Sequence, residues 1–170
     1  LGKAALGAVG GSTYMLINLI IYLFMGISNG AAVAASPAYG AGKRDAFRQV
    51  IHTALVLSVL VGILFTVLGI WLSPLVLAWI GTPKDVLELA SIYIVIYSVG
   101  YVPCCIYNVG AGIIRATGDS RSPLYFLVAA CGVNIVLDLV FITVFHWGVA
   151  GAAWATTVAQ LISALLVLWR

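Results

Sequence analysis

QVIHTALVLSVLVGILFTVLGIWLSPLVLAWIGTP, the stretch from Gln49 to Pro83, contains no Asp, Glu, Lys or Arg. A helix rises about 1.5 Å per residue, so roughly 20 consecutive apolar residues cross the hydrocarbon of a bilayer. This run exceeds that length, and charges frame it: Lys43, Arg44, Asp45 and Arg48 before, Lys84 and Asp85 after. The pattern recurs on both sides. No charge occurs between Lys3 and Lys43, from Leu89 to Ile114, from Ser122 to Leu137, or from Leu139 to Trp169, with Asp138 alone dividing the last two stretches. Five spanning helices are therefore predicted, over about 6–37, 46–80, 83–117, 122–146 and 149–170. The fold class is an all-α membrane protein, a bundle of five transmembrane helices in one unit.

Composition agrees. Hydrophobic residues make up 64% of the chain, charged residues 8%, and the mean hydropathy is +1.17. Soluble domains are about a quarter charged, and disordered chains lack this apolar mass. The net charge of +3 is spread along the chain with no nucleic-acid motif, so no nucleic-acid partner is expected. Cys104, Cys105 and Cys131 lie in apolar runs without metal-ligand spacing and read as small buried hydrophobes.

Local signals refine the helices. Gly69 and Pro74 predict a kink in the second, because proline lacks the amide donor and clashes with the preceding turn. Thr82-Pro83-Lys84-Asp85 predicts the start of the third, with Thr82 as N-cap and Asp85 on the positive end of the dipole. Gly118 predicts a left-handed cap at its end. Ser122-Pro123 predicts the next start. The stretches 26–30 and 148–153 are small-residue surfaces suited to close helix contact.

Orientation follows from basic residues in short loops. Lys43, Arg44, Arg48, Arg115, Arg121 and Arg170 fall on one face, Lys3 and Lys84 on the other. The first face is predicted cytoplasmic, with loops 38–46 and 116–122 there and residue 1 on the outer side. An outer amino terminus without an initiator Met or signal peptide predicts that a helix precedes Leu1.

Asp138 lies roughly 12 Å from the outer end of its helix and roughly 25 Å from the inner end, at about 1.5 Å per residue. An ionised carboxylate inside the bilayer costs at least a few kcal/mol unless it faces partners or water. An acid held there takes up a proton or a cation readily. Asn134 is one turn away on the same face, and Thr156 falls at similar depth in the returning helix. Together they suit a hard-cation or proton site, with Na⁺ as the candidate metal. Tyr93, Tyr97, Tyr101 and Tyr107 sit in the third helix, three of them on one face. Tyr97, Tyr101 and Asn108 are candidates for a substrate cavity, where aromatic rings attract flat organic cations. Asn18, Asn29, Thr66 and Gln160 are weaker candidates for a cavity lining. His52 and His146 read as interfacial residues. No cofactor is expected, nor an enzyme: neither a catalytic triad nor a metalloprotease or phosphate-loop motif is present.

Four strings in order carry a family resemblance. Gly30-Ala-Ala-Val-Ala-Ala-Ser-Pro-Ala-Tyr-Gly-Ala-Gly-Lys-Arg-Asp45 resembles the end of a helix and the following cytoplasmic loop of multidrug and toxic compound extrusion (MATE) proteins. Tyr107-Asn-Val-Gly-Ala-Gly-Ile-Ile-Arg-Ala-Thr-Gly-Asp-Ser-Arg-Ser-Pro-Leu124 resembles the family's arginine, Gly-Asp and Pro signature. Asn134-Ile-Val-Leu-Asp138 and Gly148-Val-Ala-Gly-Ala-Ala-Trp-Ala-Thr156 follow at the family's spacing. The resemblance covers essentially all of the chain and places it as helices two to six of a six-helix amino-terminal lobe, in a family fold of twelve helices. It implies a multi-pass protein of the cell membrane that exports small organic, often cationic, compounds in exchange for Na⁺ or H⁺. It also implies that Asn134, Asp138 and Thr156 match three members of a cation site whose fourth, an acid, lies on the first helix. The missing first helix and the carboxy-terminal lobe are then partners of this unit.

Rival readings make distinct demands. A lipid or oligosaccharide flippase of the same superfamily would need basic residues at mid-depth, where the only charge is acidic. An intramembrane enzyme would need a nucleophile–base pair or metal ligands at one depth, but the two histidines lie at opposite faces. A non-transporting assembly subunit would show no dependence on an ion gradient.

Overall fold

The computed structural model describes residues 3–170, apart from the side chains at positions 3, 4, 12 and 85. The expectations for residue 1 and for the charges of Lys3 and Asp85 lie outside the described residues. The helices are α1 (Lys3–Gly10), α2 (Ser12–Gly40), α3 (Arg44–Trp79), α4 (Lys84–Val99), α5 (Tyr101–Ala116), α6 (Arg121–Leu139) and α7 (Gly148–Trp169). The run Ala5–Gly40, α3, the run Arg121–Val144 and α7 are each long and apolar enough to cross a bilayer, and α4 with α5 makes a bent fifth. Helix is the form the chain must take there, since lipid offers its backbone no hydrogen-bond partners.

Packing reverses the pattern of a soluble bundle. Along α3 the buried residues are Ala54, Ser58, Gly62, Gly69, Ser73 and Leu77, mostly small and spaced at helical repeats. Large apolar side chains such as Trp71 and Leu75 point outward. Small residues let helix backbones approach, while lipid receives the bulky ones. α5 is central, packing on α2, α3 and α7. Phe24 of α2 is fully buried, edge-on to Phe65 of α3 at 5.7 Å and to Tyr101 of α5 at 5.9 Å. Below it the Ser28 hydroxyl donates to the Asn108 carbonyl at 2.5 Å. The neighbouring Gly26 and Gly30, expected to make close contacts, face open space. Gly151, in the second small-residue stretch, does pack, against Phe141 and Trp147.

The predicted third helix is not continuous. It breaks at Gly100, and α4 and α5 meet at 51°. Pro103 explains the bend: it has no amide hydrogen, and its ring conflicts with the Val99 carbonyl four residues back. At Gly69–Pro74, where a kink is expected, α3 runs as one continuous helix through Pro74. There the Ser73 hydroxyl donates to the Gly69 carbonyl one turn earlier.

Two capping expectations are also corrected. Thr82 makes no cap: α4 starts at Lys84, and the Pro83 carbonyl accepts the first helical bonds from Val86 and Leu87. Ser122 does not cap α6. Asp119 does, its Oδ1 accepting from the amides of Arg121 at 3.1 Å and Ser122 at 3.0 Å. Gly118 has φ +93, the left-handed turn expected of it.

Past Asp138, α6 ends in one wide π turn, Val140–Val144, in which the Phe145 amide reaches back five residues to the Val140 carbonyl at 3.2 Å. Phe141, Phe145 and Trp147 cluster at this end, with Trp147 5.1 Å from Phe141 and 5.5 Å from Phe145. The chain then reverses through His146, at φ 55, into α7.

Candidate functional site

α6 and α7 form an antiparallel pair, so residues equally far from their connecting turn stand level. Asn134 and Asp138 project from α6 one turn apart and Thr156 from α7. The Asn134 amide Nδ2 donates to Thr156 Oγ1 at 3.4 Å, and the Thr156 hydroxyl donates to the Ala152 carbonyl at 3.0 Å. The Thr156 hydroxyl hydrogen and one of the two Asn134 amide hydrogens are thereby used, and the Asn134 carbonyl oxygen is left as an acceptor. Asp138 Oδ1 is shut off from solvent and has no hydrogen-bond partner among the described residues. One oxygen of the Asp138 carboxyl is therefore turned into the protein, while the residue as a whole is half-buried.

A buried carboxylate oxygen one turn from an amide oxygen fits a proton or a small hard cation and repels an anion. Among the described residues no three His, Cys, Asp or Glu side chains come together. A cation here would thus be held by a single carboxylate and neutral oxygens, a donor set suited to Na⁺ and poor for a transition metal.

A fourth group joins the site from α4. The Tyr93 hydroxyl meets Thr156 and lies in the field of Asp138. Its ring begins a buried ladder, 5.9 Å from Tyr97, which is 5.7 Å from Tyr101. The four-residue spacing that pointed to one helix face is real, but that face turns into the protein. Tyr97 is 6% exposed and Tyr101 is 1% exposed. The Tyr97 hydroxyl meets the side-chain amide of Gln160, one turn along α7 from Thr156.

Tyr101 and Asn108 stand apart from Asp138. Tyr101 borders a small hollow of about 140 Å³ beside Phe65, Gly69 and Ser73. The Asn108 amide donates to the Cys104 carbonyl at 2.8 Å. Open hollows of about 320 and 540 Å³ lie towards the basic end of the bundle, and Tyr97 and Asn108 border neither. The structure thus brings Asn134, Asp138 and Thr156 together, adds Tyr93, and leaves Tyr101 beside the small hollow, with Tyr97 and Asn108 bordering neither of the larger ones. Sequence reasoning placed Tyr93 on the right face without assigning it a partner. Which helix meets that face depends on tertiary packing that local spacing does not encode.

Comparison with known proteins places the chain. The MatE family model matches residues 1–140. A probable multidrug resistance protein of Bacillus subtilis, YpnP, is 33% identical over 160 residues, 94% of this chain and 36% of that one. A solved multidrug resistance MATE family transporter of the MOP superfamily matches in its inward-facing conformation with a TM-score of 0.91 and 30% identity, over 99% of this chain and 38% of that one. An outward-facing structure of such a transporter matches with a TM-score of 0.92 and 30% identity, over 99% and 37%. The chain therefore spans little more than a third of the relatives it matches.

Proposed function

Because the chain belongs to the MATE family, whose members are transporters and not enzymes, we propose that it forms part of a secondary antiporter exporting small organic, often cationic, compounds in exchange for Na⁺ or H⁺. Asp138 is the group whose occupancy by the coupling ion drives the exchange. Asn134 and Thr156 complete its oxygen environment, with Tyr93 beside them. Further ligands for a cation come from chain outside these 170 residues. The protein works in the cell membrane with the basic ends of its helices, around Arg44, Arg48, Arg115 and Arg121, in the cytoplasm. The observation that carries this reading is the buried, unpartnered Asp138 Oδ1.

The coupling follows from desolvation. An empty, ionised Asp138 draws water or polar partners towards α6, whereas a proton or Na⁺ removes that demand and lets α6 and α7 close on each other. The two packings bias the bundle towards different faces of the membrane, as alternating access requires. The π turn directly after Asp138 gives α6 a place to adjust its hydrogen bonding.

The test is efflux by the full-length protein in proteoliposomes under an imposed proton gradient and, separately, a Na⁺ gradient. Asp138→Asn is expected to abolish gradient-driven efflux with membrane insertion intact. Efflux at the wild-type rate in that variant would remove Asp138 from the mechanism.

A further inference from the structure

Four buried side-chain oxygens lack a hydrogen-bond partner among the described residues: those of Thr13, Thr82, Asp138 and Gln160. Thr82 lies in the turn before α4, and Thr13 at the start of α2. Asp138 Oδ1 and Gln160 Oε1 belong to one connected group. Thr156 and Gln160 are one turn apart on α7, as are Tyr93 and Tyr97 on α4, so each step is roughly 6 Å along the helix axes. Tyr93 meets Thr156 at the level of Asp138, and Tyr97 meets Gln160 one turn deeper. From α4 and α7 the groups facing this column are hydroxyls and an amide, and its only charged member is Asp138.

Gln160 Oε1 occupies a place the backbone has been shaped to leave. It rests against Gly100, and a Cβ on that glycine would overlap it. Gly100 is also the point where α4 and α5 part at 51°. The amide head of Gln160 thus packs directly on the backbone where the two helices part, with its acceptor oxygen unpartnered. Native structures rarely leave such an acceptor bare, and ordered water or an ion is its usual partner. Breaks in spanning helices are also where membrane proteins collect ions and water, because the chain there lines a polar space.

We infer that Gln160 and Tyr97, at the Gly100 break, form a second and deeper station for the coupling cation, through which a hydronium ion or hydrated Na⁺ passes between Asp138 and the interior of the bundle. The inference rests on the proposed role of Asp138 and adds a route to it. Gln160 is a positioning residue: its oxygen accepts from the cation's water and is never itself protonated. No bond is made or broken beyond the exchange of hydrogen bonds or of water ligands.

The test measures loading of the purified full-length protein after rapid mixing, with pyranine following proton uptake and ²²Na⁺ following sodium. Gln160→Leu removes the acceptor, and Gly100→Ala displaces it while retaining the glutamine. Both are expected to slow loading at least tenfold in whichever of the two arms the wild type shows, with the final occupancy of Asp138 unchanged. Gln160→Glu, which restores an oxygen acceptor, is expected to recover most of the rate. A structural role alone would change folding or final occupancy and leave the loading rate as it was. Wild-type loading rates in Gln160→Leu or, should that variant not fold, in Gly100→Ala overturn the inference. Asp138→Asn separates this failure from that of the underlying reading: undiminished cation uptake there would refute the role of Asp138 itself.

Discussion

Asp119 ties two helix ends together at the basic face. Its carboxylate accepts the hydroxyl and then the amide of Ser122, with Arg170 and the Arg121 amide adding to these, and its pKa is held down to about 2. The Arg170 guanidinium lies 3.2 Å from Oδ2. A carboxyl depressed in the fold contributes stability above its unfolded value of 3.8, and that contribution is lost as pH falls towards 2. Asp119→Asn is therefore expected to lower Tm at pH 7 in detergent, with the gap to wild type closing between about pH 4 and pH 2. Equal Tm values at pH 7 would contradict this role for Asp119. At this scale the sequence was informative where distance along a helix suffices. Asn134, Asp138 and Thr156 were found by counting residues from a turn, which needs only the helical rise and a short connection. Gln160 and Tyr93 were visible as residues but not as partners, because their meeting depends on α4 lying against α7. The Asp119 cap was hidden for a different reason: Ser122 next to Pro123 presents an equally good local signal, and only the turn geometry decides between them.

Two prolines in spanning helices behave differently, in different surroundings. Pro74 leaves α3 unbroken, with Ser73 bonded back to Gly69. Before Pro103 the helix breaks at Gly100, where the Gln160 side chain packs against a residue without a Cβ. Proline alone therefore marks a weak point, which becomes a break at one site and not at the other. Pro103→Ala restores a donor for the Val99 carbonyl and lets α4 and α5 straighten. Transport is expected to fall severalfold with Tm equal to or above that of wild type, whereas Pro74→Ala should leave transport within about twofold. A comparison of efflux rates and melting curves for the two variants checks this, and equal transport by both would deny the bend a role. The five crossings themselves were legible because charge interrupts the apolar runs at every turn, and lipid admits few other structures.

For the molecule as a whole, one observation bears on motion. The same 170 residues superimpose on an inward-facing and an outward-facing MATE transporter with TM-scores of 0.91 and 0.92. The arrangement of these helices is thus shared by both of those conformations. Within the bundle α6 is the least buried of the long helices, packs mainly on α7 and carries the one charge at depth. A change in packing at Asp138 therefore falls on the α6–α7 pair. Infrared difference spectroscopy on the full-length protein, recorded between empty and ion-loaded states by a change of pH or of Na⁺, tests this most directly. The account predicts a carboxyl C=O band that changes on loading and disappears in Asp138→Asn. An identical difference spectrum from wild type and Asp138→Asn would contradict it.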